Sequence, residues 1–459
     1  MNLFDYKTFF FAGIGGIGMS ALARYFLLQG KQVIGYDHSL SSLTQALAKE
    51  GALITNEVKP ELLKKCDVFI YTPALAPSDP YRVAASNLGI PSFKRAQVLG
   101  EISKSYQTIA VAGTHGKTTT SSLITWLLYA SGVPCTAFIG GISQNLGSNF
   151  VYNPSSNLLV VEADEFDRSF LTLSPYIAII TTIDPDHLDI YENTTAFQNA
   201  FLQFANQILP QGYLFIGPTI EKKLFSSSQI TIQEYGKDSF YAEVISAQAT
   251  NQEIDFYTHP EQKWLSRVNY PQPGVHNLEN LCAALSVIYT LEIPKAKLYQ
   301  AIATYQGVKR RWEVVLQTPE WIVIDDYAHH PTEIEATLKT VRTCFKDYHL
   351  WVVFQPHLYS RTRDFAKEFA QALSMADKVF LLPVYAAREK KEHGANETVI
   401  FQHLPKNQAK LVNLNTVVEE IISEIQPLTV LITMGAGNVD SILPELLQKL
   451  EPRISIPKV

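Results

Sequence analysis

The segment that most constrains the fold is the nine-residue stretch 112–120, Ala-Gly-Thr-His-Gly-Lys-Thr-Thr-Thr. An apolar, strand-like run at 108–111 precedes it, and a helix-like run at 121–130 follows it. A strand, a glycine loop, Lys-Thr and a helix form a cradle in which backbone N–H groups and the helix N-terminus face a phosphate. The spacing differs from the common P-loop, which has glycine at the position of Val111. We therefore predict an ATP site, in which the lysine reaches the outer phosphates and a threonine hydroxyl holds Mg²⁺.

Composition narrows the class of protein. The 459 residues suggest about three domains, and 46% hydrophobic with 18% charged residues is typical of a soluble globular protein. A formal net charge of −6 without a basic run argues against a nucleic-acid partner. The 4 cysteines form no Cys-x-x-Cys, which indicates a reduced, cytoplasmic protein and not a disulfide framework or zinc site. Without a signal-like N-terminus or an apolar stretch near ~20 residues, we expect no membrane insertion.

A second glycine loop, at 13–18, lies between a strand-like run at 8–12 and a helix-like run at 19–29. Its Gly-x-Gly-x-x-Gly pattern is the dinucleotide fingerprint, in which a diphosphate lies on a helix N-terminus. Asp37 ends the next predicted strand, about twenty residues past the last glycine, where NAD sites hold the ribose. It is equally compatible with a polar residue at a strand end. The first ~100 residues are therefore predicted to be Rossmann-like, with the nucleotide left open.

Two apolar runs in the middle of the chain end in acidic clusters. The run 158–161 leads into Glu-Ala-Asp-Glu at 162–165, and the run 176–182 leads into Asp-Pro-Asp-His-Leu-Asp at 184–189. Ligands in open α/β sheets bind outside the carboxyl ends of the strands, so we expect both clusters beside the ATP loop. Carboxylates suit Mg²⁺, whereas His187 belongs to a residue type that more often forms structural hydrogen bonds or binds zinc.

The last third of the chain again alternates strand-like and helix-like runs. Pro331 suits the first turn of a helix that runs to about residue 345. Arg361 and Arg363, two residues apart after an apolar run, can grip a carboxylate, although a solvated loop is equally compatible. The patterns predict an α/β protein of three domains: a Rossmann-like domain at 1–104, a central P-loop ATPase-type domain with a parallel or mixed sheet at 105–312, and a second Rossmann-like domain at 313–459.

Seven motifs follow one another along the chain. They are Gly-x-Gly-Gly-x-Gly-Met-Ser at 13–20, Ala-Gly-Thr-His-Gly-Lys-Thr-Thr-Thr at 112–120, Glu-Ala-Asp-Glu at 162–165, Asp-His-x-Asp at 186–189, His-Asn-x-x-Asn at 276–280, Asp-Asp-Tyr-Ala-His-His-Pro at 325–331 and Gln-Pro-His-x-Tyr-Ser-Arg-Thr at 355–362. The ordered set resembles the Mur ligase family over essentially the whole chain.

The resemblance implies ATP-dependent ligation of L-alanine to the lactyl carboxylate of UDP-N-acetylmuramate, the first amino-acid addition in peptidoglycan precursor synthesis. ATP would phosphorylate the carboxylate, the alanine amine would attack the acyl phosphate, and phosphate would leave. Positioning and charge neutralisation dominate such phosphoryl transfers. The implied cofactors are ATP and Mg²⁺, with two metal ions and Mn²⁺ as a substitute. The N-terminal glycine loop would then bind the UDP diphosphate.

The resemblance also assigns roles to residues at matching positions. The implied catalytic residues are Lys117, Glu162, His187 and Arg311. The implied metal ligands are Thr118, Glu162 and His187. The implied ATP contacts are Gly113, Thr114, His115, Gly116, Lys117, Thr118, Thr119, His276, Asn277, Asn280, Arg311 and Asp326. The implied contacts to the UDP-sugar are Gly15, Gly16, Ile17, Gly18, Met19, Ser20, Asp37, Thr72, Pro73, Ala74 and Arg95. The implied amino-acid contacts are Tyr327, His329, His330, Arg361 and Arg363.

Two positions depart from the family pattern. No lysine occurs between His187 and Gly212, so the carbamylated lysine of the ligases that add later residues is expected to be absent. Leu358 replaces the usual arginine of Gln-Pro-His-Arg. The contribution of that arginine must come from Arg361 or Arg363, or be dispensable.

Three alternatives are weighed against this function. A family member that attaches a recycled tripeptide to the same sugar nucleotide usually lacks Gly-Gly-x-Gly-Met-Ser and lacks Tyr-Ser-Arg-Thr. An NAD-dependent dehydrogenase leaves the Gly-Lys-Thr loop and the acidic strand ends unexplained. A nucleotide-binding regulator without catalysis is disfavoured by the retention of Lys117, Thr118, Glu162 and His187.

Overall fold

A computed structural model describes residues 3–184, 191, 193–248, 250–387, 389 and 394–451. The chain divides into two compact units. Unit 1 comprises Met1–Glu243, Ile254–Asn269 and Glu279–Gln306, and unit 2 comprises Val244–Glu253, Tyr270–Leu278 and Gly307–Val459. Within the described ranges, no helix combines the length and apolar character needed to cross a membrane.

The first sheet has five parallel strands in the order β3-β2-β1-β4-β5. Its strands are β1 (Thr8–Ala12), β2 (Gln32–Tyr36), β3 (Leu53–Thr55), β4 (Val68–Tyr71) and β5 (Ser92–Lys94), and its helices are α1 (Ile17–Leu28), α2 (Ser42–Lys49), α3 (Pro80–Asn87) and α4 (Arg95–Ser103). Both faces of the central strand are covered. Phe9 stacks on Phe26 of α1, whereas Phe10 packs on the opposite face against Tyr81 of α3. A strand buried on both faces accounts for the continuous apolar run that predicted it.

The second sheet has seven strands in the order β12-β11-β10-β6-β9-β7-β8, and only β8 pairs antiparallel with its neighbour. Its strands are β6 (Gln107–Ala112), β7 (Thr136–Ser143), β8 (Ser148–Val151), β9 (Leu158–Glu162), β10 (Pro175–Ile180), β11 (Tyr213–Ile216) and β12 (Thr231–Glu234), and its helices are α5 (Lys117–Ala130) and α6 (Thr194–Ala205). Val111 pairs with Glu162 and Ala112 pairs with Ile180. The carboxyl ends of β6, β9 and β10 therefore meet at one edge, as the sequence predicted.

The first two sheets share one hydrophobic cluster within unit 1. Tyr25 of α1 packs against Phe138 and Phe150 of β7 and β8. Asn149 donates hydrogen bonds from Nδ2 to the Ile17 carbonyl at 2.6 Å and to Ser20 Oγ at 3.1 Å. The sheets that carry the two glycine loops are therefore joined through α1.

A three-stranded sheet, in the order β13-β14-β15, follows the second sheet along the chain. Its strands are β13 (Tyr241–Gln248), β14 (Asn251–His259) and β15 (Gln262–Tyr270), and they are followed by α7 (Val275–Thr290) and α8 (Leu298–Ala303).

The last sheet has six strands in the order β16-β17-β21-β18-β19-β20, all parallel except the pair β16 and β17. Its strands are β16 (Glu313–Gln317), β17 (Trp321–Asp326), β18 (His349–Phe354), β19 (Lys378–Leu381), β20 (Ala409–Leu411) and β21 (Thr429–Met434), and its helices are α9 (Pro331–Cys344), α10 (Tyr359–Asp364), α11 (Ala366–Leu373), α12 (Thr398–Phe401), α13 (Val417–Glu424) and α14 (Leu443–Leu450). Pro331 occupies the first helical position of α9, as predicted. Asp326 and Phe354 both pair with Met434, so the polar segments after β17 and β18 start at the same edge.

Candidate active site

The N-terminal glycine loop is held by the end of β2. The N–H groups of Gly13 and Ile14 donate to the Tyr36 carbonyl at 2.8 and 3.1 Å, and the N–H of Gly15 donates to Asp37 Oδ2 at 2.8 Å. Asp37, which the sequence placed at the sugar nucleotide, thus holds the loop backbone directly. α1 starts at Ile17, so its first N–H groups have no carbonyl partner within the helix and are available to an anion.

The other predicted contacts of this loop differ in how their side chains are placed. Arg95 lies over the first turn of α1, because a Cβ built on Gly18 would be 3.0 Å from its guanidinium. Met19 and Ser20 are buried, and Ser20 Oγ donates to the Ile17 carbonyl at 2.9 Å. Their side chains therefore stabilise α1, which leaves only their backbone for a ligand. The segment Thr72, Pro73 and Ala74 follows β4 at the same sheet edge, and Thr72 lies against Gly13.

Lys117 begins α5 and turns back over its own loop. Its Nζ donates to the Gly113 carbonyl at 2.6 Å and to Glu165 Oε2 at 2.7 Å, with the Thr114 carbonyl at 3.3 Å. Burial raises the pKa of Glu165 above its ordinary value, although the lysine opposes this shift. Burial would lower the pKa of Lys117, but the carboxylates led by Glu165 outweigh it and raise that pKa. The ammonium group is therefore charged at neutral pH.

Two glycines let the loop approach its neighbours closely. Gly113 has φ +128°, and a Cβ there would be 2.0 Å from Thr181 Oγ1. Gly116 has φ +80°, and a Cβ there would be 2.4 Å from Asn280 Oδ1. L-residues rarely adopt such φ values, so glycine is required on both counts. Asn280 Oδ1 also accepts a hydrogen bond from Thr120 at 3.1 Å, which places this predicted ATP contact beside the loop.

The side chains of Thr114 and His115 hold the loop against the segment after β10. Thr114 Oγ1 donates to the Asp184 carbonyl at 2.7 Å, and His115 Nε2 lies 3.4 Å from Asp184 Oδ2. The His115 N–H donates to Thr182 Oγ1 at 3.0 Å. Thr118 is buried in the first turn of α5, and Thr119, half-buried, accepts from Tyr305 at its carbonyl. The N–H groups in the first turn of α5 therefore point toward the glycine loop, where the sequence predicts a bound phosphate.

The acidic segment after β9 divides its carboxylates among different partners. Glu162 Oε2 accepts from the Gly140 N–H at 3.0 Å, whereas Glu165 holds Lys117. Asp164 lies 4.0 Å from Arg95, and Asp167 lies 2.7 Å from Lys94. The sequence predicted no individual role for Glu165 or Asp167. The signal for Glu165 was its place in Glu-Ala-Asp-Glu, but the sequence could not show which carboxylate faces the lysine.

The donors near the loop fit magnesium. The hydroxyl of Thr118 and the carboxylate of Glu162 are hard oxygen ligands, and Mg²⁺ usually takes one or two carboxylates together with substrate phosphates and water. Accordingly, the described ranges contain no group of three or more His, Cys, Asp or Glu side chains that could hold a metal by itself. His187, the third predicted ligand, lies outside the described residues.

In unit 2, the adjacent arginines Arg310 and Arg311 differ in how firmly their side chains are held. Arg310 donates to the carbonyls of Gly435 and Gly437 at 2.7 and 2.9 Å, and its Nε lies 3.3 Å from Asp325 Oδ2. These contacts tie the chain to the carboxyl ends of β17 and β21. Arg311 makes looser contacts, 3.8 Å from Glu333 and 4.8 Å over the Tyr327 ring. Of the two, Arg311 has the side chain that can turn to a ligand.

Asp326 and the segment after it are organised by backbone hydrogen bonds. Its two carboxylate oxygens accept from the N–H groups of Ala328 and Trp312 at 2.8 and 3.0 Å. Burial raises the pKa of Asp326 to about 6, against the pull of Arg311. Glu333, which the sequence did not single out, accepts from the N–H of His329 at 3.0 Å and lies 3.2 Å from its Nδ1. It also accepts from the N–H of His330 at 3.3 Å, so it holds both histidines at the start of α9.

The segment after β18 separates a buried arginine from an exposed one. Arg361 is 6% exposed, whereas Arg363 has half of its side chain in solvent and donates to Asp364 at 2.8 Å. Leu358 is buried, with φ +69°. The His357 ring, just before it, contacts the rings of His329 and Tyr385 at 6.0 Å each. The segments after β17 and β18 thus meet through these rings.

His276 and Asn277 start α7 and belong to unit 2. Burial lowers the pKa of His276 to about 4, so its imidazole is neutral at physiological pH. Asn277 is buried, and its Nδ2 donates to the Pro273 carbonyl at 2.8 Å. A neutral imidazole can pair with an uncharged heterocycle, which is compatible with the predicted adenine contact.

Three family models match the chain, one over each large segment. They are the Mur ligase family catalytic domain at residues 8–107, the Mur ligase middle domain at 111–288, and the Mur ligase glutamate ligase domain at 310–437. A curated relative, UDP-N-acetylmuramate–L-alanine ligase of Phocaeicola vulgatus, is 39% identical and covers 97% of this chain and 98% of its own length.

Solved structures match over the same length. The UDP-N-acetylmuramate-alanine ligase of Thermotoga maritima has a TM-score of 0.83 at 28% identity and covers 98% of this chain and 100% of its own. A murein peptide ligase of Psychrobacter arcticus has a TM-score of 0.70 at 23% identity, with coverage of 98% and 100%. The second likeness bears on the fold alone. The predicted three-domain α/β architecture is confirmed by these matches.

Proposed function

This chain belongs to the Mur ligase family, and from that premise we propose that it ligates L-alanine to UDP-N-acetylmuramate with consumption of ATP. It is an enzyme that forms a carbon–nitrogen bond between an acid and an amino acid. The observation that carries the substrate is the likeness to an L-alanine ligase over almost the entire chain. The observation that carries the reaction type is the charged Lys117 over a glycine loop that fits phosphate.

Each of the three segments predicted from the sequence binds a different substrate. Residues 1–104 bind the UDP-sugar through the 13–18 loop, and Arg95 adds positive charge there. Residues 105–312 bind ATP at the loop before α5. Residues 313–459 bind the amino acid at the segments after β17 and β18. The NAD-dependent alternative is set aside, because Mur ligase family models match all three segments of the chain.

In the first step, the lactyl carboxylate attacks the γ-phosphorus and ADP leaves, which forms an acyl phosphate. Lys117 stabilises the negative charge of the transferring group, because its ammonium is charged and already lies over the loop. Asn280 and the backbone of Gly116 hold the loop that orients the nucleotide. Mg²⁺, held by Thr118 and Glu162, would neutralise phosphate charge when it is bound with ATP.

In the second step, the neutral amine of L-alanine attacks the carbonyl carbon, the nitrogen of the tetrahedral intermediate gives up one proton to solvent, and the intermediate expels phosphate to leave the amide. Arg361 holds the carboxylate of the amino acid, because it is buried near the edge where the segments after β17 and β18 meet. Tyr327, His329 and His330 line the same edge. The family resemblance assigns Arg311 to the phosphates, and its loosely held side chain over the Tyr327 ring can turn to a ligand.

The test is phosphate release from ATP with Mg²⁺ and UDP-N-acetylmuramate, in parallel with L-alanine, glycine, L-serine and the recycled tripeptide. We expect release that requires L-alanine and a mass gain of the sugar nucleotide by one alanyl residue. Release with the tripeptide alone would move the chain to the recycling ligases. No release with any amine would overturn the ligase assignment.

A further inference from the structure

The acidic segment 164–168 contacts both sites of unit 1 that carry nucleotides in the proposed function. At one end, Glu165 holds Lys117 of the ATP loop at 2.7 Å. At the other end, Asp167 Oδ2 lies 2.7 Å from Lys94 Nζ, at the junction of β5 and α4. The segment is therefore a physical connection between the ATP lysine and the N-terminal sheet.

The same junction also reaches the N-terminal glycine loop. Arg95, next to Lys94, lies against Gly18 of α1 and 4.0 Å from Asp164. Both cations of the dipeptide thus contact the acidic segment, while one of them also faces the site for the UDP diphosphate. Charge added at that site acts most strongly on Arg95, which lies nearest to it, and more weakly on its acidic partner Asp164.

The backbone of the segment is held in place by tertiary contacts. Asp167 and Arg168 both have φ +54°, in the left-handed region that L-residues adopt only when surrounding contacts compensate. The Tyr191 hydroxyl donates to the Glu165 carbonyl, and the Arg168 guanidinium lies 5.3 Å over the Tyr191 ring. A segment fixed in this way transmits a shift at one end to the other, because it has few alternative conformations.

We propose that the ion pair between Lys94 and Asp167 is a positioning contact that couples occupancy of the UDP-sugar site to the placement of Lys117 through Glu165. Neither residue of the pair touches the reacting atoms in this account. The inference rests on the proposed function, since it takes the N-terminal loop as the sugar-nucleotide site. The pair is 41% and 33% exposed at its side chains, so its effect is modest.

The test measures binding, which separates it from the test of the proposed function. The affinity of a non-hydrolysable ATP analogue is determined by calorimetry with Mg²⁺, with and without saturating UDP-N-acetylmuramate, and without L-alanine. In the unmodified chain, we expect the sugar nucleotide to increase the affinity for the ATP analogue by about fivefold or more. Lys94→Met and Asp167→Asn should each reduce that ratio by about threefold. Asparagine is chosen because it tolerates the left-handed backbone at this position.

A double-mutant cycle and a matched control complete the design. The double variant should lose no more coupling than either single variant, because both act through one contact. Lys104→Met is the control, because it removes another exposed ion pair, in which Lys104 Nζ lies 2.6 Å from Glu101 Oε1 at the end of α4. This variant should keep the ratio of the unmodified chain. In a separate kinetic assay, the loss of coupling in the two single variants should appear as a higher KM for ATP at saturating sugar nucleotide.

Four outcomes of the coupling measurement would overturn the proposal. They are a ratio of one in the unmodified chain, an unchanged ratio in both single variants, additive losses in the double variant, or an equal loss in Lys104→Met. Weaker binding of UDP-N-acetylmuramate alone to Lys94→Met, but not to Asp167→Asn, would make Lys94 a direct ligand contact and would also overturn it. Ligase activity retained in these cases would leave the proposed function intact.

Discussion

Lys117 Nζ lies 2.7 Å from Glu165 Oε2, and Glu165 is 1% exposed. This buried ion pair holds the lysine over the glycine loop that precedes α5. Glu162, which the family resemblance implies as a metal ligand, accepts a hydrogen bond from the Gly140 N–H. A lysine held by a buried carboxylate keeps its charge and has few other positions, which suits a residue that must meet a phosphate in one geometry.

Lys117→Ala is expected to lower kcat by at least about a hundredfold, because it removes a preorganised positive charge from the transferring phosphoryl group. The Kd for UDP-N-acetylmuramate should stay within about twofold, since the 13–18 loop lies on a different sheet. Phosphate release and calorimetric titration measure the two quantities. An equal loss in sugar-nucleotide affinity would contradict the assignment of the two glycine loops.

Arg310 and Arg311 should separate stability from catalysis. Arg310→Ala leaves the buried Asp325 without its cation and should cost about 3 kcal/mol in the free energy of unfolding. Arg311→Ala breaks only a 3.8 Å contact and should cost less than about 1 kcal/mol, but it should lower kcat/KM for ATP by about tenfold to a hundredfold. Denaturant unfolding and steady-state kinetics compare the two variants. The reverse assignment of effects would show that Arg310 serves the nucleotide.

Arg361 and Arg363 form a matched pair of arginines on α10. Arg361→Ala should raise KM for L-alanine by about tenfold to a hundredfold, because a buried guanidinium is the better partner for a carboxylate. Arg363→Ala should change it by less than about twofold, since the side chain is half-exposed and already pairs with Asp364. Initial rates over a range of L-alanine concentrations decide between them. Equal effects would place the amino acid elsewhere.

His276 should make the fold sensitive to acid. Its pKa is lowered to about 4 by burial, below an ordinary value near 6.5. The neutral form therefore contributes stability that is present above pH 6.5 and lost as the pH falls through 4. Between these limits, the original chain should lose about 2 kcal/mol more unfolding free energy than His276→Gln. Denaturant titrations at several pH values measure this difference, and parallel pH profiles would contradict the lowered pKa of the imidazole.

Sequence patterns predicted the elements around the site well, because they depend on local signals. The strand at 108–111, the helix to residue 130 and the start of α9 at Pro331 all lie where expected. Each is bounded by an apolar run, a glycine turn or a proline, which act over a few residues. The convergence of β6, β9 and β10 followed from the rule that parallel strands end at one edge.

The partners of the charged residues could not be predicted, because they depend on tertiary geometry. Arg310 and Arg311 are adjacent, yet Arg310 is directed into the sheet edge, with φ +61° at its backbone. Asp37 holds the N–H of Gly15, a contact that depends on how closely the loop approaches β2. Glu333, in the first turn of α9, accepts hydrogen bonds from the N–H groups of two histidines, His329 and His330. A single sequence gives no signal for such contacts beyond the residue types.

The most direct measurement follows oxygen from the sugar nucleotide to phosphate. UDP-N-acetylmuramate carrying ¹⁸O in both oxygens of its lactyl carboxylate is turned over with ATP, Mg²⁺ and L-alanine, and the released phosphate is analysed by mass spectrometry. Activation through an acyl phosphate predicts one ¹⁸O atom in each phosphate released, with the other retained in the new amide. Phosphate without ¹⁸O, in the presence of alanylated product, would contradict the account.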